Sequence, residues 1–301
     1  MATPADRRPS RRDARVVRNR KSVAERLAAI WRSRELVVAL VRKELKVKYK
    51  DSALGFVWSM LNPMLYMAVF YVVFSLFLRN GIPLFPIWLL SGLLVWNLFA
   101  TALPAATGSM VSNAALVKKV AFAREILPIA SVGASLVHFV LQGTVLLVAL
   151  AVFQRPIAWG YLWLLPLAVV YLLVLTSALG IALSAVNVGV RDAQHLLELV
   201  MLAWFWLTPI AYPFRQVSDK AVERGLPEWL FGLNPITPVV LVFQRALYAQ
   251  TEVSGGIPLL PHWSPAEMAV PLVCGLVAAT VLLAGCLRLF GRFEGSFAEE
   301  L

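Results

Sequence analysis

Six stretches of this chain, at roughly 53–78, 87–109, 128–152, 161–187, 196–213 and 267–290, are predominantly apolar over long runs. A helix needs about 20 residues to cross a hydrocarbon core about 30 Å thick, and these runs have that length. No water-soluble interior holds so many of them, because 59% of the 301 residues are hydrophobic and mean hydropathy is +0.73. Within lipid the backbone must satisfy its own hydrogen bonds, so the runs are read as helices. The expected fold is an all-α polytopic membrane protein with six transmembrane helices. An N-terminal amphipathic interfacial helix precedes them, and re-entrant extracytoplasmic gate helices lie between spans five and six.

A seventh apolar stretch, 229–249, contains Pro235 and Pro238 and is interrupted near its end by Arg245. If it crossed, Arg288 and Arg292 would face the side opposite the other basic loops, against the positive-inside rule. A re-entrant pair, here taken as 214–249, avoids that conflict, since irregular backbone is tolerated at depth where protein surrounds it.

Net charge is +11, and its distribution matters more than its size. Residues 1–50 hold 16 Lys+Arg against 5 Asp+Glu, and the rest of the chain holds 12 of each. The excess therefore sits beside the first span and assigns the N-terminus to the cytoplasm. Lys118, Lys119 and Arg124, then Arg191, then Arg288 and Arg292 fall on the same side if six spans cross. With no nucleic-acid reading motif beside the charge, nucleic acid is not an expected partner. The first 50 residues lack the apolar core of a signal peptide, so no cleavage is expected.

Residues 1–21 are Arg- and Pro-rich and are expected to be disordered. Residues 22–52 are read as an amphipathic helix or pair of helices at the interface. Ser22 and Glu25 form a candidate capping box. Val23, Leu27, Ile30, Trp31, Val37, Val38, Val41 and Leu45 recur at helical spacing, with Arg26, Arg34, Arg42, Lys43, Lys46 and Lys50 mostly on other faces. The membrane domain is then 53–292, followed by a cytoplasmic tail, 293–301.

Catalytic signals are sparse. The chain contains no G-x-x-x-x-G-K-[ST] loop, so ATP hydrolysis by that route is excluded. Cys274 and Cys286 would stand about 18 Å apart on one helix, too far to bridge, and are read as packing residues. Asp192, His195 and Glu198 share a helical face, as a metal or proton site or as solvated residues at the start of a span. His138 is the one ionisable residue deep in a span, which argues against an ion-coupled transporter.

Aromatic residues cluster in two spans, with Trp58, Tyr66, Phe70, Tyr71, Phe74 and Phe77 in the first and Trp204, Phe205, Trp206 and Tyr212 in the fifth. Interfacial belts account for Trp58 and Tyr212. The others either stack on sugar rings or pack against lipid. Each cluster lies beside an expected backbone break, at Asn62-Pro63 and at Pro209.

The order of motifs carries a resemblance. A basic amphipathic helix leads into Tyr49-Lys50-Asp51-Ser52-Ala53-Leu54-Gly55, Trp58 and Asn62-Pro63. Leu116-Val117-Lys118-Lys119-Val120 and Phe122-Ala123-Arg124-Glu125-Ile126-Leu127-Pro128 follow. Asn187-Val188-Gly189-Val190-Arg191-Asp192, Phe205-Trp206-Leu207-Thr208-Pro209-Ile210 and Asn234-Pro235 with Pro238 complete the series. Over about residues 30–295 the chain resembles the permease subunits of ABC transporters that export O-antigen, teichoic acid, capsule or galactan. It departs from many of them in its Arg-rich extension before residue 22.

That resemblance implies a homodimer with two copies of a separate ABC ATPase, moving a polyprenyl-pyrophosphate glycan out of the cytoplasm. This chain would bind no cofactor, with ATP and Mg held by the partner subunit. The 112–127 segment resembles the coupling helix, with Leu116, Lys118, Lys119, Phe122, Arg124 and Glu125 at the ATPase; a membrane-anchoring loop is the alternative. Arg42, Lys43, Lys46 and Lys48 would meet the pyrophosphate or, equally, ordinary anionic headgroups. Trp58, Tyr66, Phe70, Phe74, Trp204, Phe205, Trp206 and Tyr212 would line the channel. Asn234, Pro235, Pro238 and Arg245 would belong to the outer gate. Two other classes fit the composition: an ABC permease for drugs or lipids, and a membrane-embedded polyprenyl-dependent transferase, for which Asp192 and Glu198 are the only near acids.

Overall fold

Among the described residues the longest uninterrupted burial falls on one helix, α4 (Phe85–Ser112), which is predominantly apolar and is enclosed by its neighbours over most of its length. A helix without a polar face belongs in the interior. The computed structural model describes residues 22–50, 52, 55, 57–77, 82–225, 232–249, 251–253, 257–293 and 297. The expected tail 1–21, nearly all of the expected tail 293–301, and the side chains of Asn62, Pro63 and Phe74 lie outside the described residues.

Ahead of α4 come α1 (Val23–Arg32), α2 (Arg34–Lys48) and α3 (Val57–Phe70), the last continued by a π-helical stretch, Tyr71–Phe77. After it come α5 (Ala114–Lys119), α6 (Ile126–Val152), a 3₁₀ turn at Trp159–Tyr161, α7 (Leu164–Gly189) and α8 (Ala193–Leu207). The chain ends with α9 (Phe214–Glu223), α10 (Thr237–Tyr248), a two-residue antiparallel pair of β1 (Glu252–Val253) and β2 (Ile257–Pro258), and α11 (Pro265–Phe293). Helices α3, α6, α7, α8 and α10 pack around α4, while α11 lies along α7 and α2 along α6.

In lipid, close approach of backbones and buried hydrogen bonds hold helices together, and both occur here. A Cβ on Gly180 would stand 2.6 Å from Cβ of Ala106, so only glycine permits the observed α7–α4 spacing. Gly275 of α11 makes the same allowance for the Tyr171 ring, whose Cζ lies 2.6 Å from the position of such a Cβ. Asn187 Nδ2 donates to the Thr107 carbonyl at 3.3 Å and ties α7 to α4 in the interior.

Among the described residues four helical segments are long and apolar enough to cross a membrane: Phe85–Ser112, Ile126–Val152, Trp159–Gly189 and Pro265–Phe293. They match four of the six expected spans to within three residues. The first expected span is helical over 57–77, and its irregularity falls at 71–77 rather than at Asn62-Pro63. One missing amide does not stop a helix whose other ladder bonds are intact. The fifth, expected over 196–213 with a kink at Pro209, instead stops at Leu207, and its 15 helical residues cover only about 22 Å. The interfacial helix is two helices. Ser22 and Glu25 form the expected capping box, and Ser33 separates α1 from α2. Cys286 is buried, Cys274 is exposed, and neither is bridged.

Candidate functional site

One end of the bundle is assembled from α2, the end of α4, α5 and the start of α6. Leu40, Met110, Val117, Ile126, Leu287 and Phe290 form its apolar floor. Above it opens a cleft of about 730 Å³ whose polar lining includes Lys43, Glu44, Lys48, Asn113, Ser131 and Gln194. Helix α2 presents residues 43, 44, 47 and 48 to this cleft, which is one face at helical spacing. Lys43 Nζ donates to Asn113 Oδ1 at 2.8 Å, and Ser131 Oγ donates to Glu44 Oε1 at 2.8 Å. Lys48 Nζ sits 3.3 Å from His138 Nε2, and the Tyr49 hydroxyl sits 2.9 Å from His138 Nδ1.

Burial pushes the Glu44 carboxyl above its ordinary 4.5, against the pull of the Ser131 hydroxyl and Lys43. Burial also lowers the Lys48 ammonium from its ordinary 10.5. Of the four basic residues expected to meet a headgroup, Lys43 and Lys48 line the cleft, while Arg42 and Lys46 are exposed outside it. His138 is thus a polar contact of α2. Its partners stand about 90 residues away, so spacing gave no sign of them.

The expected coupling segment is a six-residue helix, α5, followed by an irregular stretch that bends at Phe122 and turns at Arg124–Glu125 into α6. Val117 anchors it in the apolar floor, Leu116 and Phe122 are half-buried against the same cluster, and Lys118, Lys119 and Val120 face outward. Arg124 lies over the Phe297 ring with Cζ 6.0 Å from its centroid. Glu125 points inward. Its side chain is 1% exposed and forms an ion pair with Arg26 of α1, itself 8% exposed. Arg26 was placed with the polar residues of its helix, yet it stands three residues after Val23 and four before Ile30, on the stripe that packs. A charge at an apolar-stripe position was the signal that could have found this pair.

The aromatic residues divide between α3 and α8, each of which packs on α4. Trp58 and Tyr66 of α3 are about half exposed, and Tyr66 stacks on the partly buried Phe70 at 6.3 Å. On α8, Trp204 packs edge-on against Phe99 at 5.1 Å and Phe205 against Trp96 at 5.5 Å. Trp206 turns outward at 63% exposure. Trp204 and Trp206 share a cleft of about 600 Å³ with Tyr212, Leu233, Asn234 and Pro235.

Asn234 fastens this cleft. Its Oδ1 accepts from Trp204 Nε1 at 3.0 Å and from the Ile236 amide at 3.1 Å. Its Nδ2 donates to Thr208 Oγ1 at 2.9 Å and to the Leu207 carbonyl at 3.2 Å. A single amide therefore caps the Leu207 carbonyl where α8 stops and leads into α10, which starts with Pro238 in its first turn. The Arg245 guanidinium, at the far end of α10, lies over the Tyr161 ring at 4.6 Å and donates to the Ala249 carbonyl at 2.6 Å. Pairings such as Trp204–Asn234 and Arg245–Tyr161 are long-range and left no mark in local spacing.

Asp192, His195 and Glu198 are all exposed. Among the described residues no group of three or more His, Cys, Asp or Glu side chains is arranged to hold a metal ion.

Comparison with known proteins gives this arrangement its context. Residues 35–248 match the ABC-2 type transporter family model. The chain is 32% identical to an O-antigen export system permease protein RfbA of Myxococcus xanthus, over 90% of this chain and 97% of that one. It is 31% identical to an RfbA of Klebsiella pneumoniae, over 69% and 78% of the two chains. A polysialic acid transport protein KpsM of Escherichia coli is 22% identical over 70% and 80%. The two clefts, the α5 segment and the α10 region all lie within 35–248, and the chain belongs to the ABC-2 type transporter family as a multi-pass membrane protein.

Proposed function

We propose that this chain is the transmembrane subunit of an ATP-driven exporter that moves a lipid-linked polysaccharide out of the cytoplasm. The observation that carries the reading is the likeness to an O-antigen export permease over nine-tenths of the chain. The chemistry at the two ends of the bundle is compatible with it. A basic cleft suits a polyprenyl pyrophosphate, because Lys43 and Lys48 supply charge while Asn113, Ser131 and Gln194 supply hydrogen bonds. Aromatic side chains at the far end suit the C–H faces of sugar rings.

In this reading six segments cross: 57–77, α4, α6, 159–189, α8 with the residues after it, and α11. Helices α9 and α10 form the re-entrant outer gate. Helix α10 has 12 residues, about 18 Å and too short to cross. Both termini are cytoplasmic, since the basic N-terminal segment, Lys118, Lys119, Arg191, Arg288 and Arg292 then share one side. Two copies of the chain assemble with two ABC ATPase subunits, which supply ATP and Mg. The exposed Lys118, Lys119 and Val120 are the docking residues, and α1–α2 is the entry gate. Nucleotide binding displaces 112–127, α3 and α8 separate, and the glycan enters by its pyrophosphate end.

Native mass spectrometry of the protein co-expressed with its genomic neighbours tests this. A two-plus-two complex with an ATPase, carrying a lipid-linked glycan, is the expected mass. A chain recovered without an ATPase, while the neighbours are expressed, would refute the proposal.

A further inference from the structure

The only buried residue of α1 is a charged one. Along Val23–Arg32 the apolar residues are largely open, with Trp31 72% exposed and Leu27 46%, while the Arg26 guanidinium is enclosed. It pairs with Glu125, which sits at the N-cap position of α6, at the downstream end of the 112–127 segment. The end of α11 is shaped around the same group. A Cβ on Gly291 would lie 2.8 Å from Arg26 Cζ, so glycine leaves the space the guanidinium fills. Helix α1 is therefore seated by the Arg26–Glu125 pair together with the half-buried Val23 and Ile30.

Helix α2 is held differently. It lies along α6 and is bonded to it through Glu44–Ser131, while Lys43 donates to Asn113 at the start of the 112–127 segment. Ser33 separates the two helices, with its amide turned back to the Ala29 and Ile30 carbonyls. Helix α1 can thus change angle at Ser33 while α2 stays on α6. A buried, directional pair transmits displacement along its axis, and losing one partner leaves the other charge uncompensated.

We propose that the Arg26–Glu125 pair is the strut by which movement of the 112–127 segment is passed to α1, making Arg26 a positioning residue for export. The proposal rests on the reading of 112–127 as the ATPase-coupling segment. Glu125 lies in the turn that joins the stretch after α5 to α6, so a push on α5 reaches Arg26 through this carboxylate. Arg124 steadies the same point against Phe297.

The test uses the complete permease–ATPase complex in proteoliposomes, with polymer export and ATP hydrolysis measured in one preparation. Arg26→Glu is expected to lower export per ATP by about tenfold or more, since it places two carboxylates in a site built for one pair. The double variant Arg26→Glu/Glu125→Arg restores the ratio to within about threefold of wild type, as expected of directly coupled residues. Spin labels report the motion: one pair at Ala115 and Val137 follows α5 against α6, and another at Trp31 and Val137 follows α1. In the wild type nucleotide moves both distances, and in Arg26→Glu only the first.

If Ala115 does not move in the wild type, the coupling reading falls. If Ala115 moves while Trp31 stays still, or moves equally in Arg26→Glu, the strut alone falls. An unchanged export ratio in Arg26→Glu, or an assembled double variant without rescue, overturns it too. Where Arg26→Glu does not assemble, Gly291→Ala carries the same test. It keeps both charges and displaces the guanidinium, and an export ratio equal to wild type would refute the strut.

Discussion

Asn234→Ala is the substitution whose effect can be worked out most directly. The Asn234 amide makes four hydrogen bonds, to Trp204, Thr208, Leu207 and the Ile236 amide. Each is worth about 0.5–1.5 kcal/mol net, and neighbouring bonds do not add fully. Losing them together removes about 2–4 kcal/mol from the seating of residues 232–240 on the end of α8. At tenfold per 1.4 kcal/mol, the ratio of seated to unseated forms falls about 30- to 700-fold. Asn234→Asp keeps the acceptor for Trp204 and Ile236 but sets a carboxylate oxygen against the Leu207 carbonyl where the donor stood, so it too unseats the segment. Hydrogen–deuterium exchange of the amides from Ile236 to Val240 reads this local opening. Proteoliposome ion leak reads whether the outer gate opens with it. Faster exchange in both variants than in wild type is expected. Exchange in Asn234→Ala within about threefold of wild type would mean that α10 is seated by its apolar face alone, and the reasoning would be refuted.

Two further predictions use other parts of the molecule. The lowered pKa of Lys48 means its charge is lost before the ordinary 10.5 as pH rises, so wild-type binding of a polyprenyl phosphate analogue weakens early on the alkaline side. Lys48→Arg keeps its charge and should abolish that early decline; superimposable profiles would exclude Lys48 from the binding cleft. The stability sign is opposite. A cation whose folded pKa is depressed contributes stability above its unfolded pKa and loses it as pH falls through the folded one, so Lys48→Gln should not lower the melting temperature at neutral pH. In the bundle, Gly180→Val forces α7 away from Ala106 and should cost about 1–3 kcal/mol or more in detergent stability. Gly160→Ala, where a Cβ meets nothing within 4 Å, should stay within about 0.5 kcal/mol of wild type. Equal melting of the two variants would show that the α4–α7 contact is not tight.

The gate reading depends on elements that sequence periodicity resolves unevenly. Helix α10 looked like a weak span because Pro235, Pro238 and Arg245 interrupt a short apolar run. In the structure nearly every residue of α10 is buried against protein, which explains why it carries apolar side chains without the length to cross. Helix α8 had the composition of a span, yet Pro209 stops it, and Asn234 and Gln244 supply the hydrogen bonds for the carbonyls left behind.

By itself the sequence determined the class of fold. Four long apolar runs are helices to within three residues of their expected ends, because twenty apolar residues in lipid have no other way to satisfy their backbone. It also determined the capping box at Ser22 and Glu25 and the basic character of α2, both of which depend on residues within a few positions of one another. Tertiary structure decided which charges matter. Lys43 and Lys48 were indistinguishable from Arg42 and Lys46 until α2 lay along α6. Arg26 and Glu125, 99 residues apart, met only once α1, α6 and Gly291 of α11 were packed. Local spacing reports one element's own geometry, whereas a buried pair or cleft is a property of several elements at once, fixed by how closely their backbones approach.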